Sequence, residues 1–463
     1  VSYQDFVERK LSSAPPTGIA HADRSMLPAG MFPHQDALTT WALRRGRCAI
    51  FADTGLGKSR MQLAWAKAVA RETAGDILIL APLAVAAQTV GEGREIGVPV
   101  ALCRDESDVQ PGINITNYDR MHKFDASRFA GVVLDESSII KHHDAKTLRT
   151  LLESFRQTAF KLCASATPAP NDWTELGTHA EFLGICTRVE MLAEYFVHDG
   201  AETQVWRLKG HAKSAFWRWV ASWAALVRKP SDLGFDDSRY VLPPLNIDQH
   251  IVKANMAAEE GRLFALEAST LTERRNARKA SIDGRVAECA ELVNASAEPW
   301  VIWCDLNAEA DALRAAIPGA VEIRGSDDTD TKEQRLNDFA EGKIRVLITK
   351  PKIAGAGLNW QHCADMAFVG VTDSFERWYQ AIRRCWRFGQ KRAVNVHLFA
   401  SDLEGAVVAN LARKESDASE MADQLSAATR DAIESEGGST RHTNTYQPKR
   451  AVGVPAWLKT EIA

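Results

Sequence analysis

Apolar residues gather in short runs separated by longer amphipathic or polar stretches, and this alternation organises the chain. Runs at 48–52, 77–81, 112–116, 131–134 and 160–164 have the length and composition of buried strands. Several of the intervening segments are long enough to cross back over a sheet as helices, as parallel strands require. An amphipathic stretch at about 35–45 precedes the series and predicts a helix. A second series begins near Ile247, with strands expected at 300–304, 321–323, 344–348, 366–369 and 394–399. The fold class predicted is α/β, two tandem lobes that are each a mainly parallel sheet flanked by helices.

The texture of the remaining segments suggests how the chain divides. Residues 1–30 read as a Pro-, Ala- and Ser-rich arm, 31–175 as lobe one and 245–403 as lobe two. Between them, 176–244 reads as a helical, tryptophan-rich insertion or linker, and 404–463 as a C-terminal helix, reaching about residue 433, with a flexible tail. Phe216, Trp219, Val220 and Trp223 fall at helical spacing and predict a packed helix face, against the alternative of exposed rings stacking on bases. The charged stretch 273–279 predicts a solvated helix face. The longest apolar run, 77–87, contains Pro82 and is too short to span a bilayer; it predicts a buried strand running into a loop.

Composition narrows the class of protein. With 45% hydrophobic and 25% charged residues in 463, the chain can bury more than one core. Its formal charge of −4 gives no overall basic signature, so a nucleic-acid surface must come from local placement of Lys and Arg. The eight cysteines include no C-x-x-C pair, so a zinc site is not expected and reduced thiols are. The N-terminus has acidic residues and no apolar stretch of the signal-peptide kind.

Three segments carry candidate chemistry. In AIFADTGLGKSRMQLAWA an apolar strand, a turn and an amphipathic helix follow in order, and Ala52 to Gly57-Lys58-Ser59 has phosphate-loop spacing, with Ala for the first Gly. Backbone N–H groups of such a loop and the following helix hold a β-phosphate, Lys58 reaches the β- and γ-phosphates, and Ser59 ligates Mg²⁺. Gly55 and Gly57 permit close wrapping, with Thr54 beside them. GVVLDESS then delivers Asp135 and Glu136 to the C-terminal edge of a buried strand, where α/β sheets bind ligands. There Asp135 would hold Mg²⁺ through water, while Glu136 would orient and deprotonate an attacking water. In QAIRRCWRFGQ, a helix would project Arg384 and Arg387 from one face toward a γ-phosphate. Arg383 is assigned a lesser part, on a nucleic-acid backbone or in solvent, and Trp386 and Phe388 are assigned packing.

The ordered set resembles superfamily-two helicases, and within them the Swi/Snf-type branch, over roughly residues 32–414. FPHQ is similar to the Q motif, ADTGLGKS to motif I, ILILAPLAVAAQ to Ia and ITNYDRM to Ib. DESS stands at the DEAH-type box, SATP at motif III, KPKIAGAGLN at motif V and QAIRRCWRFGQ at motif VI. The resemblance implies RecA-like lobes and ATP hydrolysis with Mg²⁺, coupled to tracking along nucleic acid, DNA ahead of RNA. It implies adenine recognition by Gln35, an approach to ATP by Gly357 with Asn359 alongside, and catalysis by Gln380, Arg384 and Arg387. It also implies strand contacts from Pro82, Asn117, Tyr118, Thr167 and Lys352, with Ser165 and Thr167 coupling the nucleotide to the strand. Two departures stand out. Ser137-Ser138 replaces the usual Ala-His or Gly-His, and Arg383 stands where motif VI normally has Gly. A compact form of this kind resembles phage or prophage helicases, which implies the cytoplasm of a bacterial or infected cell, no membrane, and a monomer with room for a partner protein. An RNA helicase and a motor subunit of a restriction or defence complex are the competing readings.

Overall fold

The computed structural model describes residues 14–142, 145–199, 202–253, 278–354, 359–370, 374–402 and 405–437. Lobe one begins with helix α1 (Pro33–Arg45), then β1 (Arg47–Ala52), α2 (Lys58–Thr73), β2 (Asp76–Ala81), α3 (Leu83–Glu95), β3 (Ala101–Leu102), β4 (Ile113–Asn117), β5 (Phe129–Asp135), α4 (Lys146–Ser154) and β6 (Phe160–Ser165). Helices α5 (Leu176–Leu183) and α6 (Arg188–Tyr195), a hairpin of β7 (Phe196–Asp199) and β8 (Glu202–Leu208), α7 (Lys213–Ala221) and β9 (Ala224–Val227) follow. Its sheet runs β3-β4-β2-β5-β6-β1-β9, and every pairing in it is parallel.

Such a sheet is buried on both faces, which explains why its strands are continuously apolar rather than alternating. In β2, Ile77 and Ile79 enter one core with Trp65 and Met61 of α2. Leu78 and Leu80 enter the opposite core with Phe155, Phe182, Phe216 and Trp223.

Lobe two repeats the design with β10 (Leu245–Val252), α8 (Ile282–Asn294), β11 (Trp300–Trp303), α9 (Asn307–Ala316), β12 (Val321–Glu322), α10 (Thr329–Ala340), β13 (Val346–Thr349), β14 (Asp365–Phe368), α11 (Phe375–Ile382) and β15 (Val394–Ser401). Its order is β10-β15-β14-β11-β13-β12, again with parallel pairings throughout. Helix α12 (Gly405–Gly437) then returns to lobe one. Leu411 packs in the lobe-two core, whereas Met421, Ala422 and Leu425 belong to the lobe-one core. Thr429 Oγ1 accepts from the backbone N–H of Leu226 at 3.1 Å. Arg430 donates to the carbonyls of Asp232 (2.7 Å) and Ser231 (2.6 Å).

Several expectations need correction. The segment 176–244 is not an insertion outside lobe one, because β9 pairs with β1 over Ala49–Ala52 and completes the first sheet. Its four-residue run of small apolar side chains is overshadowed in the sequence by the tryptophans around it. Of the predicted face, Phe216 and Val220 are buried and Trp219 is half-buried against the same core, but α7 stops at Ala221, so buried Trp223 lies beyond the helix. The run 77–87 enters a helix rather than a loop, because Pro82 is the N-cap of α3, where a missing N–H costs little. Within the charged stretch 273–279 only residues 278 and 279 are described, and Arg278 is buried against Asp305 at 2.7 Å instead of solvated. The expected tail, from 438 onward, lies outside the described residues.

Arg285 and Glu309 form an ion pair at 2.9 Å with neither side chain exposed. Glu309 also accepts from the N–H groups of Asp305 and Leu306, both at 2.9 Å, and so fixes the start of α9. Removing one partner strands the other charge in a dry interior. Arg285→Leu should therefore destabilise lobe two by about 3–5 kcal/mol, read as an earlier transition in urea denaturation of the full chain.

Candidate nucleotide site between the lobes

The turn after β1 is shaped by its glycines. Gly57 adopts φ +82° as the N-cap of α2, and a Cβ there would lie 2.2 Å from Gln35 Nε2. Gln35 is held at both ends of its amide: Nε2 donates to the carbonyl of Leu56 at 3.0 Å, and Oε1 accepts from the N–H of Phe32 at 3.1 Å. Lys58 Nζ donates to the carbonyls of Ala52 at 2.9 Å and Asp53 at 3.4 Å. Burial lowers the pKa of Lys58, opposed by the charges of Glu136, Asp53 and Asp135.

The carboxylates arrive on β5. Asp135 Oδ1 accepts from Gln62 Nε2 at 2.7 Å, and its backbone carbonyl accepts from the Tyr118 hydroxyl at 2.6 Å. Glu136 is one of two non-glycine residues with positive φ (+50°) among those described. Such strain persists only where the surroundings enforce it, and it clusters at functional sites. Burial raises the pKa of both carboxyls, against the lowering pull of Gln62 and then Lys58 on Asp135, and of Lys58 on Glu136. Ser165 Oγ reaches Glu136 Oε2 at 3.4 Å and accepts from the Thr167 N–H at 3.1 Å. Ser137 Oγ meets His179 Nε2 of α5 at 3.1 Å, so the departure at this box is tied into lobe one.

Lobe two contributes the cations. Helix α11 ends at Ile382, so Arg384 and Arg387 sit on the turns that follow it, not on a helix as the sequence predicts. They still converge on the same cavity, of about 730 Å³. Arg384 is depressed to about 10 by burial and by repulsion from Arg387, with Glu136 opposing. Arg387 is also depressed to about 10, by burial and then by Arg383. Two guanidiniums so destabilised as cations would be relieved by an anion placed between the lobes.

The same cavity is lined by Gln35, Thr54, Gly55, Gly57, Lys58, Ser59, Asp135, Glu136, Asn359, Gln380, Arg384 and Arg387. Gly357 lies outside the described residues. The five residues expected on the strand do not line the cavity but stand at or just beyond C-terminal strand ends. Pro82 follows β2, and Asn117 ends β4 paired with Ala81. Asn117 Oδ1 is occupied by the Arg120 N–H at 3.0 Å, the Tyr118 hydroxyl by Asp135, and Thr167 is buried. Lys352, in the short helix Pro351–Ala354, is exposed.

Other lining residues carry no signal of their own in the sequence. Phe32 and Tyr240 enter from lobe one and its exit, and Phe388 from lobe two. The rings of Tyr240 and Phe388 lie 5.1 Å apart, and a Cβ on Gly55 would come within 2.8 Å of Phe388 Cβ. Phe388 is thus a wall of the cavity, not only a packing residue. Arg383 is neither solvated nor spread along a surface: it is buried and ion-paired with Asp53 of the phosphate loop.

Residues 285–389 match the family model described as helicase conserved C-terminal domain. No curated protein matches the chain. Among solved structures, a fragment of a putative HsdR subunit of a type I restriction enzyme from Vibrio vulnificus YJ016 is similar, at 16% identity and TM-score 0.52, over 83% of this chain and 65% of that one. The Sulfolobus solfataricus SWI2/SNF2 ATPase core in complex with dsDNA is similar at 16% identity and TM-score 0.41, over 89% of this chain and 96% of that one. The paired parallel-sheet lobes are tandem RecA-like lobes, a fold shared with that restriction-enzyme fragment. No described helix is long and apolar enough to cross a membrane.

Because Gly57 has a left-handed φ and faces Gln35, Gly57→Ala is expected to distort both loop and amide. Affinity for a fluorescent ATP analogue should fall at least about tenfold while far-UV circular dichroism stays unchanged.

Proposed function

We propose that the protein is a nucleic-acid-dependent ATPase of the Swi/Snf-type branch, a DNA translocase or helicase that hydrolyses ATP between its lobes to move along a strand. The observation that carries this reading is the shared cavity, where a phosphate loop and two carboxylates from one lobe face the guanidiniums of buried Arg384 and half-buried Arg387 from the other. A triphosphate accounts for that pattern of charge. The N–H groups of the loop and of the start of α2, with Lys58, would hold the β- and γ-phosphates.

The donor set also fits Mg²⁺. Asp135 is a buried carboxylate whose raised pKa a dication would offset, and Ser59 lines the same cavity. Magnesium is usually held by one or two protein oxygens plus phosphates and water. When bound it would neutralise phosphate charge. Glu136, once deprotonated, would take the proton of the attacking water, with Ser165 steadying its carboxylate. Arg384 and Arg387 would balance charge on the transferred phosphoryl group, a contribution of roughly 10³–10⁵ in rate. Gln35 would hydrogen-bond the adenine.

Closing and reopening the cleft would shift two grips on a nucleic-acid backbone relative to each other. Pro82, Asn117, Thr167 and Lys352 are proposed to line that path. Tyr118 would act one step behind it, through the Asp135 carbonyl. Such a grip is sequence-tolerant and weakens with salt. A second reading, the motor subunit of a restriction or defence complex, draws its support from the fold shared with the restriction-enzyme fragment. Co-purification of a partner protein would favour it.

Lys58→Ala and Arg387→Ala should each lose at least about 100-fold of the stimulated turnover. Glu136→Gln should lose a similar amount yet bind ATP within about threefold of wild type. Phosphate release measured with double-stranded DNA, single-stranded DNA and RNA at matched salt checks both the roles and the polymer. Wild-type turnover in any of the three variants would overturn the role assigned to it.

The pH dependence has a definite sign. Burial holds the Glu136 pKa above its ordinary 4.5, and the reaction needs the carboxylate. Turnover should be complete at high pH and fall as pH drops through that raised value, in the pH profile of kcat/KM, which follows the nucleotide-free protein. An acid limb at or below the ordinary carboxylate range would count against Glu136 as the base.

A further inference from the structure

Asp53 sits inside the phosphate loop, one residue beyond β1, yet its side chain is turned away from any role with phosphate. Its Oδ2 is ion-paired with Arg383 Nη2. Its Oδ1 accepts from the Tyr379 hydroxyl of α11 and, at 2.6 Å, from the Thr54 N–H. Arg383 is 3% exposed and Asp53 18% exposed, so the pair is sheltered from solvent and from screening. On the lobe-two side the guanidinium lies 4.8 Å from the Trp386 ring and 5.5 Å from the Tyr379 ring. It also donates to the Trp386 carbonyl at 3.2 Å. Trp386 in turn donates from its indole to the Pro243 carbonyl at 2.8 Å.

The residue after Arg383 is Arg384, and Arg387 follows in the same set of turns. Asp53 therefore holds the element that delivers both guanidiniums. Near the other end of α11, Glu376 is ion-paired with Lys141, which follows the Asp135–Glu136 box of lobe one. The element is pinned at two points by groups with no part in binding nucleotide. The Asp53 carbonyl is also one of the two acceptors of Lys58 Nζ, so the latch and the phosphate-binding lysine share a backbone.

We propose that Asp53, Tyr379 and Arg383 form a latch across the cleft that positions Arg384 and Arg387 at the phosphate cavity, so that the closed arrangement is written into the polypeptide and not left to the nucleotide alone. The proposal rests on the function proposed above. Arg383 and Asp53 are positioning residues: each acts through its neighbours, and neither touches the reacting atoms. Where the resembling motif has Gly this chain has Arg383, and a glycine could make no such pair.

Asp53→Asn, Arg383→Gln and the double variant, with Tyr379→Phe as the mildest change, test it in the full chain. Each single charge variant should lower stimulated kcat by about tenfold or more, with KM for ATP moved less than about threefold. The double variant should be no worse than the poorer single, because the two act as one unit. Amide hydrogen exchange of residues 383–390 in the nucleotide-free protein should rise in all variants, Tyr379→Phe included, a readout independent of turnover. Wild-type kcat in either charge variant, losses that multiply in the double, or unchanged exchange over 383–390 would each overturn the latch. Arg387→Ala separates the two claims. If it is inactive while Asp53→Asn and Arg383→Gln turn over normally, only the latch fails; if it is fully active, the ATPase reading fails first.

Discussion

Everything in this molecule turns on charge kept out of water at the seam between two sheets. Lys58, Asp135, Glu136, Arg384 and Arg387 all line one cavity, and burial shifts each of them toward its neutral form. Such groups are tolerable only because each faces charge of the opposite sign or a ligand that supplies it. The fold exists to hold them there. Parallel strands bring their C-terminal ends to a common edge in lobe one, and the turns after α11 in lobe two face that edge across the cavity.

Much of this is written in local sequence. A buried parallel strand favours an unbroken apolar run, and β1, β2 and β5 each show one, while β4 and β6 are interrupted by Asn114, Thr116 and Lys161. Phosphate-loop glycines, adjacent acids and closely spaced arginines are likewise contiguous, so Gly57, Asp135, Glu136, Arg384 and Arg387 could be nominated before any coordinates. What could not be read depends on partners distant in sequence. Strand β9 is recognisable only through its pairing with β1. Tyr240 gains significance only from Phe388, 148 positions away, and Arg383 only from Asp53. The helix expected at 384–387 failed for a local reason: the chain leaves α11 at Ile382 so that both guanidiniums can turn toward lobe one.

The interlobe cavity also has an apolar rim. Phe32 stands edge-on to Tyr240 at 6.0 Å, and Tyr240 leans on Phe388 at 5.1 Å. Aromatic faces drawn from both lobes give the cavity a wall that cares about relative lobe position, beside polar walls that care about charge.

Helix α12 has a mechanical consequence. It starts on lobe two, where Leu411 is buried, and finishes on lobe one, where Leu425 is buried and Arg430 grips two carbonyls. A single rod of 33 residues, roughly 50 Å of helix, therefore spans the joint and ends against the start of the linker at Ser231 and Asp232. The two halves are tethered twice, which keeps each in the other's immediate neighbourhood at a high effective concentration. Any separation of the lobes is thereby limited to arrangements that both connections can span.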